Sequence, residues 1–204
     1  MSISVPGVKQ PNQARSQRTF ERILNAAEAL LEDRAWSDLS VNEIIEASGC
    51  GAGSFYARFE DKQAVLRMLS VRLAGDISDT VDIASQDADA LSLDELVELI
   101  VDGMFASYAN RRALIRTLTL LPRLHPDHSL RAEGLETADQ FQRLANLLTG
   151  HGVDSSRAQI ALFTLANSVR ESVLFPQITS DLISVNDEEF RDHLILMVLS
   201  YVRA

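Results

Sequence analysis

Between Ser40 and Lys62 the chain gathers a hydroxyl at Ser40, another at Ser54, a phenol at Tyr56, a guanidinium at Arg58 and an ammonium at Lys62. Gly49, Gly51, Ala52 and Gly53 run among them and put almost no side-chain bulk in front of the backbone amides. This is a set of hydrogen-bond donors without a nucleophile and base at working spacing. Its chemistry is therefore binding, and amides at a helix start favour phosphate. The Tyr56 hydroxyl can reach a phosphate oxygen while its ring lies along a sugar edge. Arg58 can grip guanine with its two-pronged donors, or a phosphate. Lys62 suits a phosphate clamp, and Ser40 offers a hydroxyl and helix-start amides. Plain packing for Tyr56 and a plain solvated charge for Arg58 are the alternatives. A nucleotide loop at Gly49-x-Gly51-x-Gly53 is excluded, because no strand precedes it and no lysine follows at P-loop spacing.

Short helices must position these groups. Ser40 is a good N-cap and Glu43, three residues on, completes a capping box. Val41, Ile44, Ile45 and Ala47 give that helix its apolar face, and Gly49 marks the turn. The next helix, about Ala52 to Arg58, turns Phe55 and Phe59 inward. Asp61 caps a fourth helix, with Val65, Leu66, Leu69 and Leu73 on one side, that continues to about Ala84. Upstream, Phe20, Ile23, Leu24, Ala27, Leu30 and Leu31 recur at three- and four-residue spacing. That first helix ends near Asp33 and Arg34, and Trp36 plugs the following turn. Two short helices joined at a glycine form a helix-turn-helix, the device that sets one helix into the major groove of DNA.

From Thr19 to about Leu69 the chain resembles the DNA-binding domain of the TetR family of transcriptional regulators. The residues that carry the likeness are Ser40-Val41 and Ile44, then Ser48-Gly49 and the run Gly53-x-x-Tyr56-x-x-Phe59-x-x-Lys62. Gly51, Ala52 and Ala57 depart from the polar or aromatic residues common there, which thins phosphate and base contacts and leaves the operator sequence unread. Cys50 stands at a valine position, as a small buried residue rather than a redox sensor. The resemblance implies a double-stranded DNA operator as partner, a homodimer, and a small-molecule effector bound by the C-terminal part.

Composition fits. Hydrophobic residues make up 46% and charged residues 24% of 204 positions, an ordinary globular balance rich in helix formers. The net charge of −10 is unusual for a nucleic-acid binder. However, from Met1 to Leu24 the charges are Lys9, Arg15, Arg18, Arg22 and a single acid, Glu21. Arg15 and Arg18 join the candidate DNA contacts, because charges further than roughly 8 Å are largely screened at physiological salt. The single cysteine cannot form an internal disulfide, there is no signal-type apolar core at the N-terminus, and the run Leu194 to Val202 is too short to span a bilayer. A cytoplasmic protein without a membrane partner is expected.

The expected fold is all-α, with about nine helices. Residues 1–14 read as a flexible arm, 15–62 as a three-helix DNA-binding domain with the fourth helix (about 61–84) as connector, and 63–204 as a helical domain for ligand binding and dimerisation. In the latter, Ser85 to Ser92 reads as a loop, a helix over about 112–121 stops at Pro122, and 175–186 reads as irregular. Met104, Phe105, Tyr108, Leu118 and Leu121 are candidate pocket residues, joined by Phe141, Leu144 and Phe163. Asn167 and Arg170, polar on an apolar helix, would orient an anionic or carbonyl-bearing ligand; alternatively Arg170 pairs with Glu171 or with a dimer partner. Ala158, Leu162, Leu165, Val169 and Val173 form one candidate dimer stripe, and Phe190, Leu194, Met197 and Tyr201 a second; the alternative is that both belong to the subunit's own core. His125-x-x-His128 lacks a third ligand, so no metal is expected, and nothing points to a cofactor. The leading reading is a ligand-released repressor acting on a palindromic operator. The alternative is a helical small-molecule-binding protein whose DNA head has weakened or been lost. An enzyme finds no supporting constellation.

Overall fold

The computed structural model describes residues 5–11, 13–124, 134–183 and 186–204. It is all-α: α1 (Ala14–Leu31), α2 (Val41–Ser48), α3 (Ala52–Tyr56), α4 (Lys62–Asp87), α5 (Leu93–Asn110), α6 (Arg112–Leu124), α7 (Gly134–Gly150), α8 (Ser155–Leu174), α9 (Pro176–Leu182) and α10 (Asp187–Arg203). Short 3-10 turns lie at Trp36–Asp38 and Ala88–Ala90. Capping boxes start three of these helices: Ser40 with Glu43, Ser92 with Glu95, and Asn186 with Glu189. Each satisfies amides that the first helical turn leaves without an intrahelical acceptor.

Three sequence expectations change here. The stretch expected to be irregular contains α9, with Pro176 in its first turn, where a missing N–H costs nothing and the fixed φ suits a helix. Helix α6 does not stop at Pro122 but runs to Leu124; a proline so near a helix end removes one backbone bond without ending the last turn. And α4 continues to Asp87, so much of the expected Ser85–Ser92 loop is helical. The His125–His128 segment lies outside the described residues.

Packing divides the chain into two compact units, residues 1–73 with 113–133 and residues 74–112 with 134–204. The division thus falls within α4, later than the boundary at residue 62 read from the sequence, and it assigns α6 to the first unit. The first unit is built around Phe20, Ile23 and Leu24 of α1, Ile44 of α2, Phe55 of α3, Phe59, and Val65, Leu66 and Leu69 of α4, all buried. Phe20 and Phe59 stack with ring centroids 4.9 Å apart. Leu114 of α6 joins this core, with Leu118 and Leu121 packed against it, one apolar face at helical spacing.

The second unit packs α5, α7, α8 and α10 around Leu96, Val97, Ile100, Val101, Leu148, Leu162, Leu165, Val169 and Val198. Ion pairs tie its surface together: Arg191 with Asp102 (2.9 Å between Nη2 and Oδ2), Arg203 with Asp94, and Arg143 with Asp82. These are exposed and contribute little to stability individually.

Candidate nucleic-acid interface

The α2–α3 corner is made by local chemistry. Ser40 accepts from the Glu43 amide (3.3 Å), and the Glu43 carboxylate accepts from the Ser40 amide (2.8 Å) and hydroxyl (2.7 Å). Arg34 pairs with the same carboxylate. Hydrogen bonds from Arg34 and Ser40 hold the Glu43 carboxyl at about 2, well below its ordinary range. Gly49 ends α2 at φ 61°, a left-handed conformation costly for any residue with a Cβ. Phe55 and Phe59 then anchor α3 from beneath, both fully buried. The opposite side of α3 consequently faces outward: Gly51, Ala52, Gly53, Ser54 and Tyr56 are exposed, Tyr56 to 54%.

Gly51 and Gly53 are informative because the fold does not require them. Neither has a positive φ, and a Cβ on either would meet nothing within 4 Å. Gly53 lies inside α3, where a glycine costs about 0.5–1 kcal/mol relative to alanine, while Gly51 is the helix's N-cap. With no internal neighbour to accommodate, the bareness of this surface suits a partner that approaches the backbone from outside.

The charged residues of the motif fare differently. Arg58, expected on a base or phosphate, ties α3 to α1: its Nη2 donates to the Ser16 hydroxyl (3.0 Å), its Nε to the Ser16 carbonyl (3.3 Å) and its Nη1 to the Ser54 carbonyl (2.6 Å). Lys62, expected as a phosphate clamp, donates to the carbonyls of Leu39 (2.6 Å), Trp36 (2.9 Å) and Ser37 (3.3 Å), with its ammonium 5.6 Å from the centre of the Trp36 ring. Burial lowers its pKa, countered in part by Asp38 and Glu43. Ser40 is exposed, but its hydroxyl proton is committed to Glu43. These three residues build the corner. The reason is geometric: the turn after α1 brings three carbonyls together, of which Trp36 also accepts from the Leu39 amide (3.3 Å), and the lysine at the start of α4 reaches all three.

Cations left free stand on α1. Arg15 and Arg18 are exposed and make no ion pair among the described residues. Arg22, which the sequence reading did not place in the site, lies one turn beyond Arg18 on the same stripe. It is exposed, with Nη2 3.5 Å from the Gly49 carbonyl beside the turn. Its signal was the i, i+3, i+7 spacing of the three arginines. Residues 1–73 carry nine cations and nine carboxylates, so the whole surplus of −10 lies beyond α4's midpoint. Cys50 is half-buried against the core, and its sulfur accepts from the Ser48 hydroxyl (3.1 Å).

The expected loose arm is corrected at residues 5–9. Val5 is buried, the Lys9 amide donates to the Arg58 carbonyl (2.8 Å), the Glu60 amide donates to the Gly7 carbonyl (2.9 Å), and Arg67 donates to the Pro6 carbonyl (3.0 Å). Gly7 sits at φ 74°, where a Cβ would come within 3.1 Å of both Ala64 and Arg67. This strap docks beside the end of α3 by main-chain pairing that leaves no hydrophobic pattern in the sequence.

In the second unit, Met104, Phe105 and Tyr108 of α5 and Phe141 and Leu144 of α7 are half-buried against one core. Leu118 and Leu121 are not with them; they belong to the first unit's core. Phe163 is 65% exposed and lines nothing internal. Arg170 does not pair with Glu171; its Nη2 donates to Asn167 Oδ1 (2.5 Å). Of the dimer residues, Ala158, Leu162, Leu165, Val169 and Leu194 are buried inside the subunit, and Val173 and Phe190 pack half-buried against the same core. These positions repeat at three and four residues because they face their own core; periodicity does not reveal which surface covers it. Met197 and Tyr201 remain exposed. No helix among the described residues is long and apolar enough to cross a membrane.

Comparison with known proteins agrees with this geometry. Residues 23–69 match the family described as bacterial regulatory proteins, tetR family. The chain is 24% identical over 185 residues to the HTH-type transcriptional regulator EthR of Mycobacterium tuberculosis, covering 85% of this chain and 82% of that one. Its fold is shared with a TetR-family regulator from Mesorhizobium loti (TM-score 0.69, 17% identity, 94% of this chain and 98% of that one). It is shared also with the regulator FadR from Bacillus subtilis, solved in complex with stearoyl-CoA (TM-score 0.60, 17% identity, 90% and 96%). The bare, outward-facing α3 and its aromatic anchor thus lie within the stretch that matches the tetR-family model, and the whole chain has the fold of solved regulators of that family.

Proposed function

We propose that this protein is a transcriptional regulator of the TetR family, a repressor that binds a palindromic double-stranded operator as a homodimer and is released by a small, mostly apolar effector held in its second unit. The observation that carries the reading is the exposed, unfilled surface of α3 at Gly51, Gly53 and Tyr56, beside the arginine stripe of α1. In a dimer, two α3 helices about 34–36 Å apart would enter successive major grooves. Apolar side chains exposed on α8 (Ile160 and Phe163) and α10 (Met197 and Tyr201) support those helices as the pairing surface. The half-buried apolar residues of α5 and α7 support an effector site, and the stearoyl-CoA complex of FadR gives a precedent within this fold. An effector that prefers a dimer with differently spaced α3 helices needs only a few kcal/mol of differential binding to release the operator.

Selection of bound fragments from random genomic DNA, followed by titration over a salt series, tests the proposal without assuming an operator. A specific site whose affinity falls steeply with salt and drops with Tyr56→Ala is the expected result. A second reading, a small-molecule-binding protein with a weakened head, draws on the internal commitment of Arg58 and Lys62. No enriched fragment, or equal affinity for all fragments, would favour it.

A further inference from the structure

Arg170 is the odd cation of the second unit. It projects from α8, half-buried, and among the described residues no carboxylate pairs with it. Its Nη2 is held by Asn167, which is itself fixed by donating to the Phe163 carbonyl (2.6 Å). The Arg170 Nε is fully buried and has no acceptor. Elsewhere in this unit the arginines of α7 and α10 find acidic partners, in a part of the chain with an acidic surplus. A guanidinium oriented by an amide, yet left without an anion, is costly to keep unless something completes it.

Tyr108 of α5 lies close enough to feel that charge: burial raises its pKa, and Arg170 partly counters the rise. The phenol is therefore a neutral donor over the whole physiological range, and its hydroxyl has no hydrogen bond among the described residues. Met104 and Phe105 on α5 and Val173 on α8 supply half-buried apolar surface against the same core. Two unsatisfied donors beside apolar surface specify an acceptor carrying negative charge on an apolar body.

Resting on the effector reading above, we propose that the effector is an organic carboxylate whose head is received by Arg170 and Tyr108 and whose apolar body lies against Met104 and Phe105. Asn167 is a positioning residue that sets the guanidinium.

Calorimetric titration of the full-length protein tests this with decanoate and 4-phenylbutyrate, each set against the alcohol of the same skeleton. At least one acid is expected to bind about tenfold or more tighter than its alcohol, as a charge-assisted hydrogen-bond pair should allow. Arg170→Met should abolish that preference while leaving alcohol binding in place, and Tyr108→Phe should weaken the acid several-fold. Without ligand, Arg170→Met should raise the melting temperature by about 2–4 °C, since it removes an unsatisfied buried donor; Arg170→Gln serves as a second variant. Failure of both acids to bind, equal binding of acids and alcohols, or a preference that survives Arg170→Met overturns the proposal. So does a weakened dimer in Arg170→Met by sedimentation, which would assign the guanidinium to a partner subunit. Operator titration separates the two readings. Acid bound through Arg170 with unchanged operator affinity would sink the effector reading alone; release by the alcohols as readily as by the acids would sink the carboxylate head alone.

Discussion

The two units handle their charges in opposite ways. In the first, polar side chains are used to build shape: Arg58, Lys62, Ser40 and Glu43 bond to nearby backbone and to one another, and the outward surface of α3 is left almost featureless. In the second, most arginines pair with acids across the surface while Arg170 is kept half-buried, with its Nε incomplete. A reading surface for a polyanion profits from smoothness, since phosphate attraction is long-ranged and close approach is the limiting need. A site for a small ligand profits from one strong, desolvated hook. Motif residues in the first unit are therefore mostly structural, and the functional signature there is what is missing from the side chains.

The sharpest way to break this contrast is through the anchor. Phe59, stacked on Phe20, is fully buried, and Phe59→Ala is expected to destabilise the first unit by about 3–5 kcal/mol in chemical denaturation. A much smaller loss would mean that α3 is not held from beneath. Next comes Lys62→Ala. If the lysine serves the corner, unfolding free energy should fall by about 1–3 kcal/mol, because three carbonyls lose the ammonium that joins them. Unchanged stability with weakened operator binding would return Lys62 to the phosphate.

The bare face makes the reverse claim. Gly53→Ala should stabilise the protein by about 0.5–1 kcal/mol and yet weaken operator binding, whereas Tyr56→Ala should weaken binding with stability changed by no more than about 0.5 kcal/mol. A Gly53→Ala protein that binds its operator as well as the parent would remove the argument from bareness. The smallest effect concerns acid. The Glu43 carboxyl is held at about 2 against an ordinary 4.5, so its contribution is complete above about pH 4.5 and is lost as pH falls toward 2. The gap in melting temperature between the parent and Glu43→Gln should therefore close across that window; a gap that is constant with pH would show the carboxylate to be idle.

How much of this was legible can be followed residue by residue. The Ser40–Glu43 box, the Gly49 turn, the Asp61 cap (2.7 Å to the Ala64 amide) and the inward Phe55 and Phe59 are local events, and they stand in the structure where their spacing put them. The Ser92 and Asn186 boxes carry the same local signal. The destinations of Arg58 and Lys62 were not legible, because a long cation's partner depends on which carbonyls the turn brings into range. The strap at residues 5–9 was hidden for a similar reason: main-chain pairing has no side-chain pattern.

The sequence by itself determined an all-helical chain, the helix-turn-helix and the aromatic side on which α3 rests, since helix caps, glycine turns and apolar periodicity act over a few residues. Only the tertiary structure decided that the α8 stripe faces its own core, that Leu118 and Leu121 belong to the first unit, and that Arg170 pairs with no carboxylate among the described residues. An apolar face must be covered, but the identity of the cover is a long-range fact, fixed by how the helices pack and not by the spacing along any one of them.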